Sequence, residues 1–164
     1  MHHSCHEVTF ADGSVCDVYV LTDEDFVVFG TEPSLGPDMS RLGLRGARRS
    51  IHYRFENGQL WLERLTGEFR RRLFRALPVI DGVKAVRSCE VDNDPPCDNP
   101  RMWQYTLRRS ADFTGTMLIG CDFDMRFWPK DDRITPVPCT PEVYRRVERL
   151  HFAAGRLVRR ERVK

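Results

Sequence analysis

The chain has 164 residues, 41% hydrophobic and 30% charged, with a formal net charge of +2. That length and balance fit one globular domain over residues 1–164, and the near-neutral charge supplies no global field to draw the chain onto nucleic acid. No apolar run approaches the roughly 20 residues of a membrane-spanning helix. The first residues lack a basic stretch followed by an apolar one, so a cytoplasmic bacterial protein without membrane contact is expected.

Taken in order, the chain opens on His2, His3, Cys5 and His6, which are metal-ligating types on a terminus without rigidity. Residues 1–6 read as disordered or tag-like, and no metal site is expected. Val8 to Phe10 and Val15 to Leu21 follow as a hairpin. A two-residue loop at Asp12-Gly13 would set Phe10 opposite Val15. Phe26 to Phe29 is a short strand, and residues 30–50 form a long Gly-, Pro- and Arg-rich loop of the kind that is functional or disordered.

Ile51, Tyr53 and Phe55 alternate with His52 and Arg54, turn at Asn57-Gly58, and return through Leu60 and Leu62. This is a second hairpin with one buried face. Phe69, Leu73 and Leu77 sit four apart, so the spacing predicts an amphipathic helix over 66–77, ended by Pro78. Val83 to Val86 is a strand candidate, 88–100 is a loop, and Trp103, Tyr105 and Leu107 mark another strand. The longest strand runs Thr116 to Phe127, with a bend or bulge expected at Gly120. A Pro-rich loop covers 128–142. Pro141 to Leu150 reads as a helix entered through Thr140-Pro141, with a strand from Glu148 to Phe152 feeding a last hairpin, Phe152 to Leu157, as the alternative. Ala154-Gly155 is a poorer type I′ pair, so another turn is expected there.

Phe-x-x-Gly-x-Val/Leu thus occurs three times, from Phe10, Phe55 and Phe152. Hairpin spacing with one or two short helices predicts a mainly β (β-rich α+β) fold, an antiparallel meander forming a small barrel or a strongly curved sheet. The six cysteines contain no C-x-x-C and are expected as free thiols, with Cys89 and Cys97 the pair best placed to bridge on export.

Phe113-Thr114-Gly115-Thr116-Met117-Leu118-Ile119, the closing Leu150 to Val158 segment and Tyr53 to Leu62 together resemble a loose group of bacterial β-rich proteins without an established activity. The likeness covers about half the chain and implies a strand-and-hairpin scaffold. It carries over no catalytic residue.

No nucleophile elbow, phosphate loop or dinucleotide fingerprint is present. His52 and His151 oppose the apolar faces of their strands and read as exposed residues rather than bases. Asp122 and Asp124 share a strand face, where paired carboxylates are acid/base candidates but more commonly a salt-bridged surface. Arg45, Arg48 and Arg49, with Trp61, Trp103 and Tyr105 interleaved, are candidate stacking and charge contacts, and Asp122, Asp124, Arg126 and Trp128 complete the candidate binding residues. The expectation is a non-enzymatic binding domain for a protein or small ligand, acting through long loops or the concave sheet face, with no cofactor. The alternatives are a lipocalin-like carrier and a weak nucleic-acid binder, the latter disfavoured by a pI of 8.3.

Overall fold

The computed structural model describes residues 6–21, 26–27, 49–68, 76–88, 102–127 and 141–164. Ten strands carry most of them: β1 (His6–Phe10), β2 (Val15–Leu21), β3 (Phe26–Val27), β4 (Arg49–Glu56), β5 (Gln59–Glu68), β6 (Val86–Arg87), β7 (Met102–Ser110), β8 (Gly115–Phe123), β9 (Tyr144–Ala153) and β10 (Arg156–Arg162). The fold is mainly β, and among the described residues no helix reaches seven residues. Short 3₁₀ turns lie at Met125–Phe127 and Pro141–Val143. The helix expected over 66–77 is not formed at its ends: Thr66 to Glu68 continue β5, and 76–79 are irregular. Residues 69–75 lie outside the described set.

The strands make one sheet in the order β10-β9-β8-β2-β1-β4-β5-β7-β6, with β3 on β2. β10 also reaches β5 through Arg156 opposite Gln59, so the bonding runs as a ring through seven strands. Leu60 N–H donates to Gly155 O at 2.8 Å and Leu157 N–H to Gly58 O at 3.1 Å across that seam. The sheet is mixed rather than a pure antiparallel meander: β1 and β4 run parallel, with Phe10 abreast of Phe55.

The three Phe-x-x-Gly hairpins turn in two ways. Asn57 and Ala154 take φ +52° and +48°, followed by Gly58 and Gly155 at +74° and +75°. Both are two-residue loops with φ > 0 at each position, and they set Phe55 opposite Leu60 and Phe152 opposite Leu157. Ala154-Gly155 therefore adopts the turn that its alanine disfavours. The first hairpin differs. Gly13 N–H donates to Phe10 O and Phe10 N–H to Ser14 O, each at 2.9 Å, so the loop has three residues and Gly13 is its bulge. The pairing becomes Thr9 with Val15 and Val8 with Cys16. One added loop residue moves Val15 to the solvent side, where it is exposed, instead of facing Phe10.

The three repeat phenylalanines meet. Phe10 lies edge-on to Phe55 at 5.9 Å between centroids, Phe55 to Phe152 at 6.2 Å, and Phe113 continues the row at 5.9 Å. Behind them Val8, Val18, Tyr53, Leu60, Leu62, Leu65, Tyr105, Met117, Ile119 and Leu150 are almost fully enclosed and form one core cluster. Edge-to-face rings add to the area they bury.

Cys16 and Cys121 are disulfide-bonded across β2 and β8, one step beyond the paired Asp17 and Gly120. Their Cα atoms are 4.6 Å apart, the spacing of a non-hydrogen-bonded antiparallel pair. This corrects the expectation of free thiols for these two. Cys5, Cys89, Cys97 and Cys139 lie outside the described residues.

β8 keeps its register with β9 through Gly120, so the expected bulge is absent there. Gly120 instead makes room for a ring: a Cβ on it would meet the Tyr144 ring at 2.5 Å. The strand ends at Phe123 rather than Phe127. Asp122 takes φ +59°, and past it Phe123 and Tyr144 join Leu118, Val143 and Val147 in a second, smaller cluster. Tyr144 O–H donates to Asp17 from that side.

Candidate functional site

A cavity of about 350 Å³ opens where the first two hairpin tips approach β9 and β10. Its wall is Phe10, Ala11, Asp12, Ser14 and Cys16 from the first hairpin, Phe55 and Asn57 from the second, and Arg146 and Arg160. The volume is within the range of small-molecule sites.

The two arginines stand on the core side of the sheet. Cys121 pairs with Arg146, Ile119 with Glu148 and Met117 with Leu150, and the alternate residues Cys121, Ile119 and Met117 all belong to the main core. Arg160 is opposite Leu150 because the β9–β10 register shifts between Leu157 and Arg159. Without that bulge Arg160 would face the other way.

Glu148 joins the pair. Arg160 Nε donates to Glu148 Oε2 at 2.5 Å, and Arg146 Nη1 donates to Oε1 at 3.3 Å. Glu148 is buried, and a buried carboxylate needs such partners. Arg146 Nε also lies 3.5 Å from Asp122 Oδ2, yet it is a buried donor without a hydrogen bond among the described residues. The Arg160 guanidinium lies over the Phe10 ring, 5.4 Å from its centroid. Asp12 at the rim accepts from Ser14 Oγ at 2.6 Å and Ser14 N–H at 2.9 Å. Those two bonds hold its carboxyl below the usual range.

The residues singled out from sequence fall elsewhere. Arg45, Arg48 and Trp128 lie outside the described residues, and Arg49 opens β4. Tyr105 is fully enclosed, its O–H donates to Pro78 O at 2.8 Å, and burial pushes its pKa up to about 12. Trp103 packs against the core with the Arg87 guanidinium 5.7 Å from its ring centroid. Trp61 sits opposite the exposed Ser110 with Arg108 at 5.3 Å. Trp103 shares the core side with Tyr105, whereas Trp61 alternates with buried Leu60 and Leu62, so the two indoles lie on opposite sheet faces.

Asp122 and Asp124 part company. Asp122 is exposed, while Asp124 is buried and clamped by Arg126 through its N–H at 3.0 Å and its Nε at 3.0 and 2.9 Å. Those bonds hold the Asp124 pKa down at about 2.

The histidines are more engaged than alternation alone implies. His6, grouped by sequence with the loose terminus, is buried in β1 and its Nδ1 accepts from Ile51 N–H at 2.9 Å. His52 lies between Thr9 Oγ1 at 2.7 Å on Nε2 and Glu7 Oε2 at 3.0 Å on Nδ1. That is a hydroxyl–imidazole–carboxylate line, but Thr9 belongs to a strand bonded on both sides, to β2 and β4. His151 repeats part of the pattern, with Thr116 Oγ1 at 3.1 Å and Glu161 at 3.8 Å. Among the described residues no group of three metal-ligating side chains converges. Glu161 also pairs with Arg149 and Arg159, so these two arginines near the end of the chain are matched by a carboxylate.

Comparison with family models, with curated proteins and with solved structures finds no match to the chain.

Proposed function

We propose that the chain is a non-catalytic binding domain that takes a small molecule in the cavity at the hairpin end of the ring. The observation that carries this is the wall itself. Two aromatic rings, Phe10 and Phe55, and two guanidinium groups, Arg146 and Arg160, converge on one concavity. Binding sites pair an apolar lining with a few placed polar groups in this way. The ring of strands is read as a small barrel whose interior is packed by Tyr53, Tyr105, Met117 and their neighbours. A lipocalin-like carrier would need that space open, so the ligand is placed at the end. Nucleic-acid binding finds less support, because Trp61 and Trp103 lie on different faces and Arg149 and Arg159 are paired with Glu161.

A fragment screen by ligand-observed NMR tests the proposal, using wild type and Ala11→Trp, a bulky change at an exposed rim position. Hits on wild type that vanish in the variant are expected. Hits unaffected by Ala11→Trp would place binding elsewhere.

The disulfide bears on where the domain works. A bond between Cys16 and Cys121 favours an oxidising compartment over the cytoplasm. Mass spectrometry of alkylated protein from its native host is expected to find the linked peptide pair. Two alkylated thiols there would return the protein to the cytoplasm.

A further inference from the structure

We infer that the pocket's ligand carries an oxyanion head, a carboxylate or a phosphate monoester, on a small apolar or aromatic body. This rests on the binding reading above and adds the ligand's chemistry.

Two guanidinium groups share a single buried carboxylate, Glu148. Among the described residues, Asp122 and Asp12 are the further carboxylates that act on Arg146. Asp122 is 65% exposed, so solvent weakens its pair with Arg146. Asp12 is exposed and already accepts two hydrogen bonds from Ser14. Arg160 commits only Nε to Glu148; among the described residues its Nη groups donate to nothing. Arg146 contributes the buried Nε donor without a hydrogen bond. The Arg160 Nε bond to Glu148 and the position over the Phe10 ring, 5.4 Å from the centroid, hold the Arg160 fork before any ligand arrives. A planar fork held in place suits a carboxylate or phosphate, which it can meet with two parallel bonds. Phe10 and Phe55 also line the cavity and supply an apolar wall for the ligand's body.

Glu148 also explains why such a site survives without ligand. Glu148, itself buried, gives Arg146 and Arg160 a shared anionic partner at the cavity wall, and the two arginines in turn offset the cost of burying that carboxylate. The ligand's head adds to the shared carboxylate instead of replacing it.

Isothermal titration calorimetry with four probes tests this: phenylacetate and phenyl phosphate, against phenylacetamide and benzyl alcohol as uncharged counterparts. At least one anion is expected to bind about tenfold tighter than its counterpart, the scale of a charge-assisted hydrogen bond. Whether phenylacetate or phenyl phosphate binds identifies the head group. Arg160→Gln is expected to weaken that anion about tenfold, with Arg160→Lys, which keeps charge but not the fork, falling between. Arg159→Gln, an exposed arginine paired with Glu161, is expected to leave binding unchanged. Equal binding of anions and neutral counterparts overturns the oxyanion inference and leaves the pocket as a binding site. Failure of both anions to bind also overturns it, and the fragment screen then decides the binding reading separately. Anion binding that Arg160→Gln does not weaken overturns the assignment to this fork.

Discussion

Arg160 lays its guanidinium over the ring of Phe10, 5.4 Å from the centroid. The contact joins the last strand to the tip of the first hairpin, residues separated by almost the whole chain. It also brings the row of repeat phenylalanines together with the Arg146–Glu148–Arg160 charges. The cavity lies where they meet.

Breaking the Cys16–Cys121 bond is expected to lower stability. The bond closes a loop of 105 residues, and constraining the unfolded chain on that scale contributes about 2–4 kcal/mol. Urea unfolding of wild type and of the Cys16→Ser/Cys121→Ser double variant measures it. Coincident midpoints would mean the bond adds nothing.

Gly120→Ala is expected to destabilise by about 1–3 kcal/mol, because the new Cβ would press on the Tyr144 ring at 2.5 Å. If the ring is the cause, adding Tyr144→Ala makes the glycine substitution nearly free. A double-mutant cycle reads this as strong coupling, and additive costs would argue against it.

Ala154→Asn is expected to stabilise by about 1 kcal/mol. Ala154 is exposed and sits at φ +48°, a left-handed conformation that alanine resists and asparagine tolerates. A thermal melt higher by a few degrees supports the turn assignment, and a lower one contradicts it.

Acid should release the Asp124 clamp. Its carboxyl has a pKa of about 2 in the fold against 3.8 for the free group. Between those values the unfolded chain binds more protons, so the contribution is present above pH 3.8 and is lost as pH falls through about 2. The stability gap between wild type and Asp124→Asn is expected to shrink over that window. A gap independent of pH would show that the Arg126 contacts do not depend on the charge.

Sheet patterning was the legible part of the sequence. Asn57-Gly58 fixed its hairpin because two local residues decide it. The first hairpin misled by one residue, since Asp-Gly serves a three-residue loop as readily, and that slip reverses Val15. Nothing local marks the parallel pairing of β1 with β4 or the meeting of Cys16 with Cys121; both arise when distant strands become neighbours. The pocket was hidden for a related reason. Arg146 and Glu148 look like the solvent side of a helix or strand, and their inward placement follows from the β8 register and from each neutralising the other. Nothing local in the sequence marks Arg160, because its face depends on a bulge.

The most direct test of the binding site is amide NMR of the isotope-labelled protein, titrated with hits from the fragment screen. The expected result is shift changes concentrated at Phe10 to Ser14, Phe55 to Asn57 and around Arg160, the residues that wall the cavity. Saturable shifts confined to the Trp61 or Trp103 faces, with the hairpin tips unmoved, would contradict the placement of the site.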